Sequence, residues 1–269
     1  MYARRLRAQP LSATLRRLLR PGVARTHVLR LLGVGPEKPS NQYLASYSRA
    51  QELAFCAALV PDSEASIERA YHELEADGLG AELGRRYREV RPDAPSFELG
   101  RFRMWYALVR VLRPTVVLET GVHDGLSSAV ILAALERNGG GRLVSIDLPS
   151  TDLPPTVDGA GWLVPDRLRS RWTLLVGDAR RLLPDTARAL APIDVFSHDS
   201  DHSAEHQAFE YETVEPYLAP SALVLSDQDY PLDPALERFA ERTHGVHRRV
   251  RTVAGEPGLY AGGVRLRLE

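Results

Sequence analysis

Residues 116–128 read VVLETGVHDGLSS, a short apolar run that ends in an acid and continues through two glycines to two serines. The β-branched run predicts a buried strand, and the residues after the second glycine predict a helix start. Gly121 and Gly125 would let the backbone of the turn between them approach a ligand. The spacing is E-x-G-x-x-x-G, which differs from the G-x-G-x-x-G of dinucleotide sites. Glu119 would repel a pyrophosphate and favour a ligand that carries a cationic amino group.

After Pro114 the chain alternates short apolar runs with helical stretches. The strand-like runs are TVVLET (115–120), RLVSIDL (142–148), WTLLVGD (172–178), IDVFSHD (193–199) and SALVLSD (221–227). This alternation predicts an α/β domain with a mostly parallel sheet and helices on both faces. Two further strand-like segments, joined by GEPG at 255–258, predict an antiparallel hairpin at the edge of that sheet.

The first part of the chain has a different composition. Residues 1–33 carry eight arginines and no acidic residue. We interpret residues 1–40 as a basic arm that either packs on the rest of the chain or attaches to RNA or a membrane surface. Apolar residues at helical spacing predict a helical cap region over residues 41–94. The α/β domain is expected to occupy residues 95–269.

The composition narrows the class of protein. A formal net charge of −1 gives no general attraction to nucleic acid or to anionic membranes. Cys56 is the only cysteine, which excludes an internal disulfide and a cysteine zinc site. No apolar run approaches the ~18–20 residues that a membrane-spanning helix needs. We therefore expect a cytoplasmic protein without a transmembrane segment.

Acidic residues end the strand-like runs or directly follow them: Glu119, Asp147, Asp178, Asp199 and Asp227. Ligands of open parallel sheets bind outside the carboxyl ends of the strands. Asp147 is well placed to accept hydrogen bonds from two ribose hydroxyls, while Glu119 favours an amino group. An amino-acid head joined to a ribose describes S-adenosylmethionine. Helix N-capping is the alternative explanation for such acids, and for Asp178 in particular.

The chain from about residue 95 onward resembles the class I S-adenosylmethionine-dependent methyltransferases. It is most similar to the small-molecule O-methyltransferase group that carries a D-x-D-H segment after the fourth strand. The resemblance is carried by VVLETGVHDGLSS, VSIDLP, GWLVPDRLRSRWTLLVGDAR, FSHDSDHS and LVLSDQD, in that order. It implies a Rossmann-like, seven-stranded, mostly parallel sheet of order 3-2-1-4-5-7-6, with a helical N-terminal extension.

The resemblance also implies where the cofactor binds. Its methionine end would lie against the turn after the first strand, its ribose against Asp147 and its adenine edge near Asp178. The cofactor-binding residues implied in this way are Glu119, Thr120, Gly121, Gly125, Ser127, Asp147, Leu148, Asp178, Ala179 and Asp199.

Residues 194–206, DVFSHDSDHSAEH, concentrate acids and histidines after the fourth strand. The resemblance implies that Asp199 and Asp227 end neighbouring strands, where they could hold a Mg²⁺ ion that gathers two oxygens of the methyl acceptor. The related enzymes carry a further Asp or Asn at the position of Gln228, which offers a carbonyl without a charge. A metal site of Asp199, Asp227 and Gln228 and catalysis without a metal therefore both stay open.

The histidines of this stretch are expected to differ in role. His202 is the candidate general base, together with Asp199 as the second catalytic residue, because an imidazole with a pKa near 6.5 can take a hydroxyl proton. His198 is expected to be packed or hydrogen-bonded, and His206 to lie on the solvated face of the next helix.

The long connection of residues 149–168 predicts one of two arrangements. It is either a lid that closes over the cofactor or an ordered loop that Trp162 anchors to the core.

We expect an S-adenosylmethionine-dependent methyltransferase that methylates a hydroxyl of a small molecule such as a sugar or natural product. The alternative is a non-catalytic cofactor-binding domain with a basic recruiting arm. The missing G-x-G-x-x-G disfavours a nicotinamide-dependent oxidoreductase. The lack of a basic, aromatic-rich stripe disfavours an RNA methyltransferase. The helices before the α/β domain suit a homodimer, although the sequence leaves the oligomeric state open.

Overall fold

The computed structural model of the protein describes residues 47–92, 97–149, 153, 156–157, 159–229, 231, 234–251 and 260–267. The basic arm predicted for residues 1–40 lies outside these residues. The hairpin connection at 252–259 and part of the long loop after residue 149 also lie outside them.

In the described part of the chain, four helices precede the sheet: α1 (Arg49–Leu59), α2 (Glu64–Ala76), α3 (Leu79–Val90) and α4 (Phe102–Leu112). α1 begins at a capping box, in which the Ser48 hydroxyl accepts from the Gln51 backbone and the Gln51 side chain accepts from the Ser48 backbone. α4 buries seven of its eleven residues, because it packs between the sheet and the other helices. The predicted division between a cap region and a domain at residue 95 stays a prediction.

The sheet has seven strands in the order β3-β2-β1-β4-β5-β7-β6, which confirms the order that the resemblance implied. The strands are β1 (Val116–Thr120), β2 (Arg142–Asp147), β3 (Trp172–Val176), β4 (Ile193–His198), β5 (Leu218–Ser226), β6 (Val246–Arg251) and β7 (Tyr260–Arg265). The first five strands run parallel, and β7 pairs antiparallel with β5 and β6. The chain therefore has the Rossmann-like methyltransferase fold.

Helices cover both faces of the sheet. The connecting helices are α5 (Leu126–Asn138), α6 (Ala179–Leu190), α7 (Ala204–Val214) and α8 (Ala235–Arg242), with short 3₁₀ helices at Asp166–Arg171 and Glu215–Tyr217. Along β1, Val117 packs with the apolar residues of α1, α2, α4 and α5, while Leu118 packs with those of α6, α7 and α8. Because both faces are covered, every residue of β1 is buried and its sequence shows no polar alternation.

The register of the central strands decides which residues meet at the carboxyl edge of the sheet. Thr120 at the end of β1 lies beside Ile146 of β2 and His198 of β4, and His198 lies beside Ser226 of β5. The residues that follow these positions therefore leave the sheet at the same level. This alignment brings residues from distant parts of the sequence to one edge.

Among the described helices, none is long and apolar enough to cross a membrane.

Candidate functional site

Three acids predicted for the site come together at the carboxyl edge. Asp147 ends β2, and Asp199 and Asp227 directly follow β4 and β5. Asp199, His202 and Asp227 each offer a ligand atom, and these three atoms lie within 4.8 Å of one another. The sequence prediction that Asp199 and Asp227 end neighbouring strands is confirmed.

Gly121 and Gly125 allow unusually close packing of backbone around this edge. Gly121 has φ +83°, and a Cβ atom there would lie 1.9 Å from the Asp199 carbonyl oxygen. Gly125 has φ +92°, and its Cβ would lie 2.7 Å from Gly161 Cα. The Asp199 N–H also donates to the Thr120 carbonyl at 2.8 Å. Both glycines are thus required by the protein's own backbone, while their approach to a ligand stays a prediction.

Glu119 is fully buried beneath the turn that follows β1. Its Oε2 atom accepts hydrogen bonds from Ser128 Oγ at 2.6 Å and Ser145 Oγ at 2.7 Å. Trp172 Nε1 donates to Ser145 Oγ at 2.9 Å and extends this network. Burial raises the pKa of Glu119, against the lowering effect of these serine hydroxyls and that of Ser127. The carboxyl group supports the turn from below, and its contact with a ligand amino group stays a prediction.

Asp147 carries a carboxylate that two backbone amides hold in place. The His123 N–H donates to Oδ2 and the Leu148 N–H donates to Oδ1, each at 2.8 Å. Leu148 and Val176 are the two large hydrophobic side chains exposed among the described residues, at 42% and 59%. Val176 lies directly beside Asp147 in the pairing of β2 with β3. Sequence reasoning did not identify Val176. Its exposed side chain places an apolar surface next to the Asp147 carboxylate, a strong hydrogen-bond acceptor.

Asp178 is the N-cap of α6, and its side chain accepts from the Arg180 N–H at 3.0 Å. This is the capping role that the sequence left open as the alternative. Ala179 is buried as the first residue of the helix. Neither contact tests the prediction that these two residues lie near a bound adenine.

His202 and Asp199 form the part of the site where proton chemistry is expected. His202 Nε2 lies 3.9 Å from Asp199 Oδ1, and its Nδ1 has no hydrogen-bond partner among the described residues. Burial lowers the pKa of His202 to about 3, with a further lowering by the nearby His198 and Arg101. Burial raises the pKa of Asp199 to about 8, although Arg101 opposes this shift. The imidazole is therefore neutral at physiological pH.

Arg101 enters this site without having been predicted. It precedes α4, is nearly fully buried, and forms an ion pair from Nε to Asp227 Oδ1. Asp227 Oδ2 has no hydrogen-bond partner among the described residues. The sequence did contain a signal for this residue, namely an arginine directly before a predicted helix. A positive charge at a helix N-terminus is electrostatically unfavourable, which suggests that an acidic partner lies nearby.

The predicted Mg²⁺ ion fits this group of side chains poorly. Mg²⁺ prefers oxygen ligands in octahedral geometry, whereas the cluster combines two carboxylates with an imidazole. One of those carboxylates, Asp227, is already paired with Arg101. The backbone carbonyl of Gln228, which is distinct from the side-chain carbonyl predicted to bind the ion, accepts from Ser226 Oγ at 3.0 Å and Gln207 Nε2 at 3.1 Å. No step of the chemistry is therefore assigned to a metal.

Glu210 of α7 is a second unpredicted residue, and it organises the floor of the site. Its fully buried carboxylate accepts from Thr120 Oγ1 at 2.5 Å and Ser200 Oγ at 2.8 Å. It also contacts His198 Nδ1 at 2.7 Å and His206 Nε2 at 2.8 Å. The prediction that His198 is hydrogen-bonded is confirmed. The prediction that His206 is solvated is wrong, because the face of α7 that carries both His206 and Glu210 packs against the ends of β1 and β4 and is buried.

Trp162 anchors the described second half of the long loop. Its Nε1 donates to Asp124 Oδ1 at 2.7 Å, and its ring stacks on that of Tyr87 with centroids 6.2 Å apart. The Gly161 N–H donates to the His123 carbonyl at 2.8 Å. These contacts correspond to the anchored arrangement rather than the lid.

Comparison with known proteins supports a methyltransferase. Residues 118–228 match a family model described as a methyltransferase domain. No curated protein matches the sequence. The O-methyltransferase TomG from Streptomyces achromogenes, solved with S-adenosylmethionine, is 20% identical, with a TM-score of 0.52 over 70% of this chain and 89% of that chain. An O-methyltransferase from Bacillus cereus, solved with S-adenosylhomocysteine, is 15% identical, with a TM-score of 0.50 over 84% and 100%.

The two solved structures establish a shared fold at these identities. The family match over the segment that carries Glu119, Asp147, Asp199 and Asp227 supports a methyltransferase domain.

Proposed function

We propose that this protein transfers a methyl group from S-adenosylmethionine to a hydroxyl oxygen of a small-molecule acceptor. The observation that carries the proposal is the Asp147 carboxylate at the end of β2, flanked by exposed Leu148 and Val176. A carboxylate has about four lone-pair sites, and two backbone amides use two of them here. The remaining sites suit two ribose hydroxyls, and the apolar pair suits the flat base of the same nucleoside.

The residues at the ends of β1 and β4 suit the rest of the cofactor. The methionine end would lie along the backbone of residues 119–125 and near Asp199, where acidic groups favour a cationic amino group. When bound, S-adenosylmethionine supplies an electrophilic methyl group on a sulfonium sulfur. The contacts of Thr120, Gly121, Gly125 and Ser127 with it are part of this proposal.

His202 is proposed as the general base. Its Nδ1 has no hydrogen-bond partner among the described residues, so this nitrogen is available to the hydroxyl proton of an acceptor. The Asp199 carboxyl group lies beside the same ring, with Oδ1 3.9 Å from Nε2, and is proposed to help position it. The TomG and Bacillus cereus proteins are named as O-methyltransferases, which favours oxygen as the methylated atom. The acceptor class, a sugar or natural-product-like hydroxyl, belongs to the proposal.

Calorimetric titration with S-adenosylhomocysteine tests the cofactor assignment. Asp147→Ala removes two charge-assisted hydrogen bonds of about 1.5–3 kcal/mol each, so affinity should fall by about a hundredfold or more. Asp166→Ala, which removes an exposed carboxylate from the 3₁₀ helix after the loop, is the matched control and should bind normally. Thermal unfolding of each variant checks that the fold is retained.

Two outcomes of the same titration would contradict the proposal. Unchanged affinity of Asp147→Ala for S-adenosylhomocysteine would show that the ribose does not bind to this carboxylate. Tight binding of NAD in place of S-adenosylhomocysteine would favour an oxidoreductase.

A further inference from the structure

The acidic side of the site already contains a buried cation. Asp199 and Asp227 offer ligand atoms within 4.8 Å of each other, together with His202. Asp227 is almost fully buried, and a buried carboxylate needs a compensating positive charge beside it. Arg101 supplies that charge through its ion pair with Asp227.

The position of Arg101 in the fold holds its charge in place. The residue directly precedes α4, a helix that is buried along most of its length, and the guanidinium also lies 5.1 Å from the Phe102 ring centroid. Among the described residues, Asp227 is its ion-pair partner, and Arg101 Nε and both carboxylate oxygens of Asp227 lack a hydrogen bond. A buried polar pair that is only partly satisfied can accept further contacts from a ligand.

We propose that Arg101 takes the place of a divalent cation in this site. It neutralises Asp227 and directs N–H donors toward the acceptor oxygen beside His202, so that methyl transfer proceeds without a metal. The contact with the acceptor rests on the proposed function, whereas the exclusion of the metal does not. A divalent ion bound to Asp199 and Asp227 would have to lie beside the guanidinium, and the repulsion between the two cations opposes this.

Manganese binding provides a readout that is independent of turnover. Mn²⁺ is a spectroscopic substitute for Mg²⁺, and the fraction bound can be measured by electron paramagnetic resonance. The wild-type protein should leave Mn²⁺ free at concentrations where Arg101→Gln binds it, with at least a tenfold gain in affinity in the variant. Arg103→Gln removes the same charge two residues along the chain, where Arg103 pairs with Glu52, and should show no gain.

Two further variants make the test specific to the ion pair. Arg101→Lys keeps the positive charge and should not gain affinity for Mn²⁺. The double variant Arg101→Gln/Asp227→Asn removes both members of the pair and should lose the gained affinity. Binding of Mn²⁺ by the wild-type protein that is lost in Asp227→Asn would overturn the proposal. This wild-type measurement decides the matter even where Arg101→Gln fails to fold.

Activity provides the second readout once an acceptor is in hand. The wild-type rate should be unchanged in excess chelator, and Arg101→Gln should lower kcat more than the affinity for S-adenosylhomocysteine. A rate that falls to background in chelator and returns with Mg²⁺ would overturn the proposal. Failure of S-adenosylhomocysteine to bind the wild-type protein would instead refute the proposed function and leave the Mn²⁺ result standing.

Discussion

The two halves of the site are built from different parts of the chain. At the ends of β1 and β2, backbone groups and glycines predominate, and Asp147 is held by amides close to it in the turn and the strand end. At the ends of β4 and β5, charged side chains predominate, and Asp227 meets Arg101 from the start of α4. The first half is organised by local geometry and the second by tertiary contacts. A substitution should therefore act through backbone shape in one half and through charge in the other.

The largest effect is expected in the charged half, at His202. His202→Ala should slow the chemical step by ~10²–10⁴, because general-base help is lost, while S-adenosylhomocysteine affinity stays nearly unchanged. Single-turnover kinetics with an accepted substrate measures this. The wild-type rate should show no fall between pH 8 and pH 5 from protonation of His202, because burial lowers its pKa to about 3.

His72→Ala provides the control for a histidine, because His72 is exposed on α2 and should not affect the rate. A near-normal rate in His202→Ala would show that this side chain is structural. Catalysis would then depend on Arg101 and the positioning of the acceptor.

The next effect is expected in the backbone half, at Gly121. Gly121→Ala should lower the free energy of unfolding by about 4 kcal/mol, because the left-handed conformation costs ~1–2 kcal/mol and the Cβ collides with the Asp199 carbonyl. Urea denaturation measures the change. Gly139→Ala has a similar positive φ of +71° and open space around it, so it should cost only about 1 kcal/mol. Equal losses in the two variants would mean that the contact with Asp199 is unimportant.

A smaller effect is expected where the two halves meet, at Glu210. Glu210→Gln should cost about 3 kcal/mol of stability at pH 7, because a buried carboxylate loses its charged contacts with His198 and His206. Glu205→Gln, on the exposed side of the same helix, is the matched control and should change stability by less than about 0.5 kcal/mol.

The pH dependence of unfolding sharpens the same comparison. Burial alone would raise the pKa of Glu210, but His198 and His206 lower it well below its ordinary value. The stability that this carboxylate contributes is complete above the ordinary pKa of about 4.5 and is lost as the pH falls below it. Wild-type unfolding free energy should thus fall more steeply below pH 4.5 than that of Glu210→Gln. If the unfolding free energies of the two proteins fell in parallel with pH, the pKa of Glu210 would not be lowered in the folded protein.

Sequence reasoning predicted the backbone half of the site more completely than the charged half. Gly121 and Asp147 could be identified from their neighbours in the sequence, because Gly121 follows a strand-like run and Asp147 lies at the end of another. His206 shows the limit of such reasoning. Its face of α7 is buried because it packs against Thr120 and His198 at the ends of β1 and β4, and the apolar residues of this helix do not mark one face clearly.

The sequence by itself determined the order of strands and helices and the acids at the carboxyl edge, because strand and turn propensities act over a few neighbouring residues. Only the tertiary structure decided that Arg101 pairs with Asp227 and that Glu210 lies under Thr120 and His198. These contacts join residues far apart in the chain, and they form because helix packing brings each charge to a partner that compensates its burial. Local sequence patterns do not indicate such pairings, so Arg101 could be assigned to this site only from the folded structure.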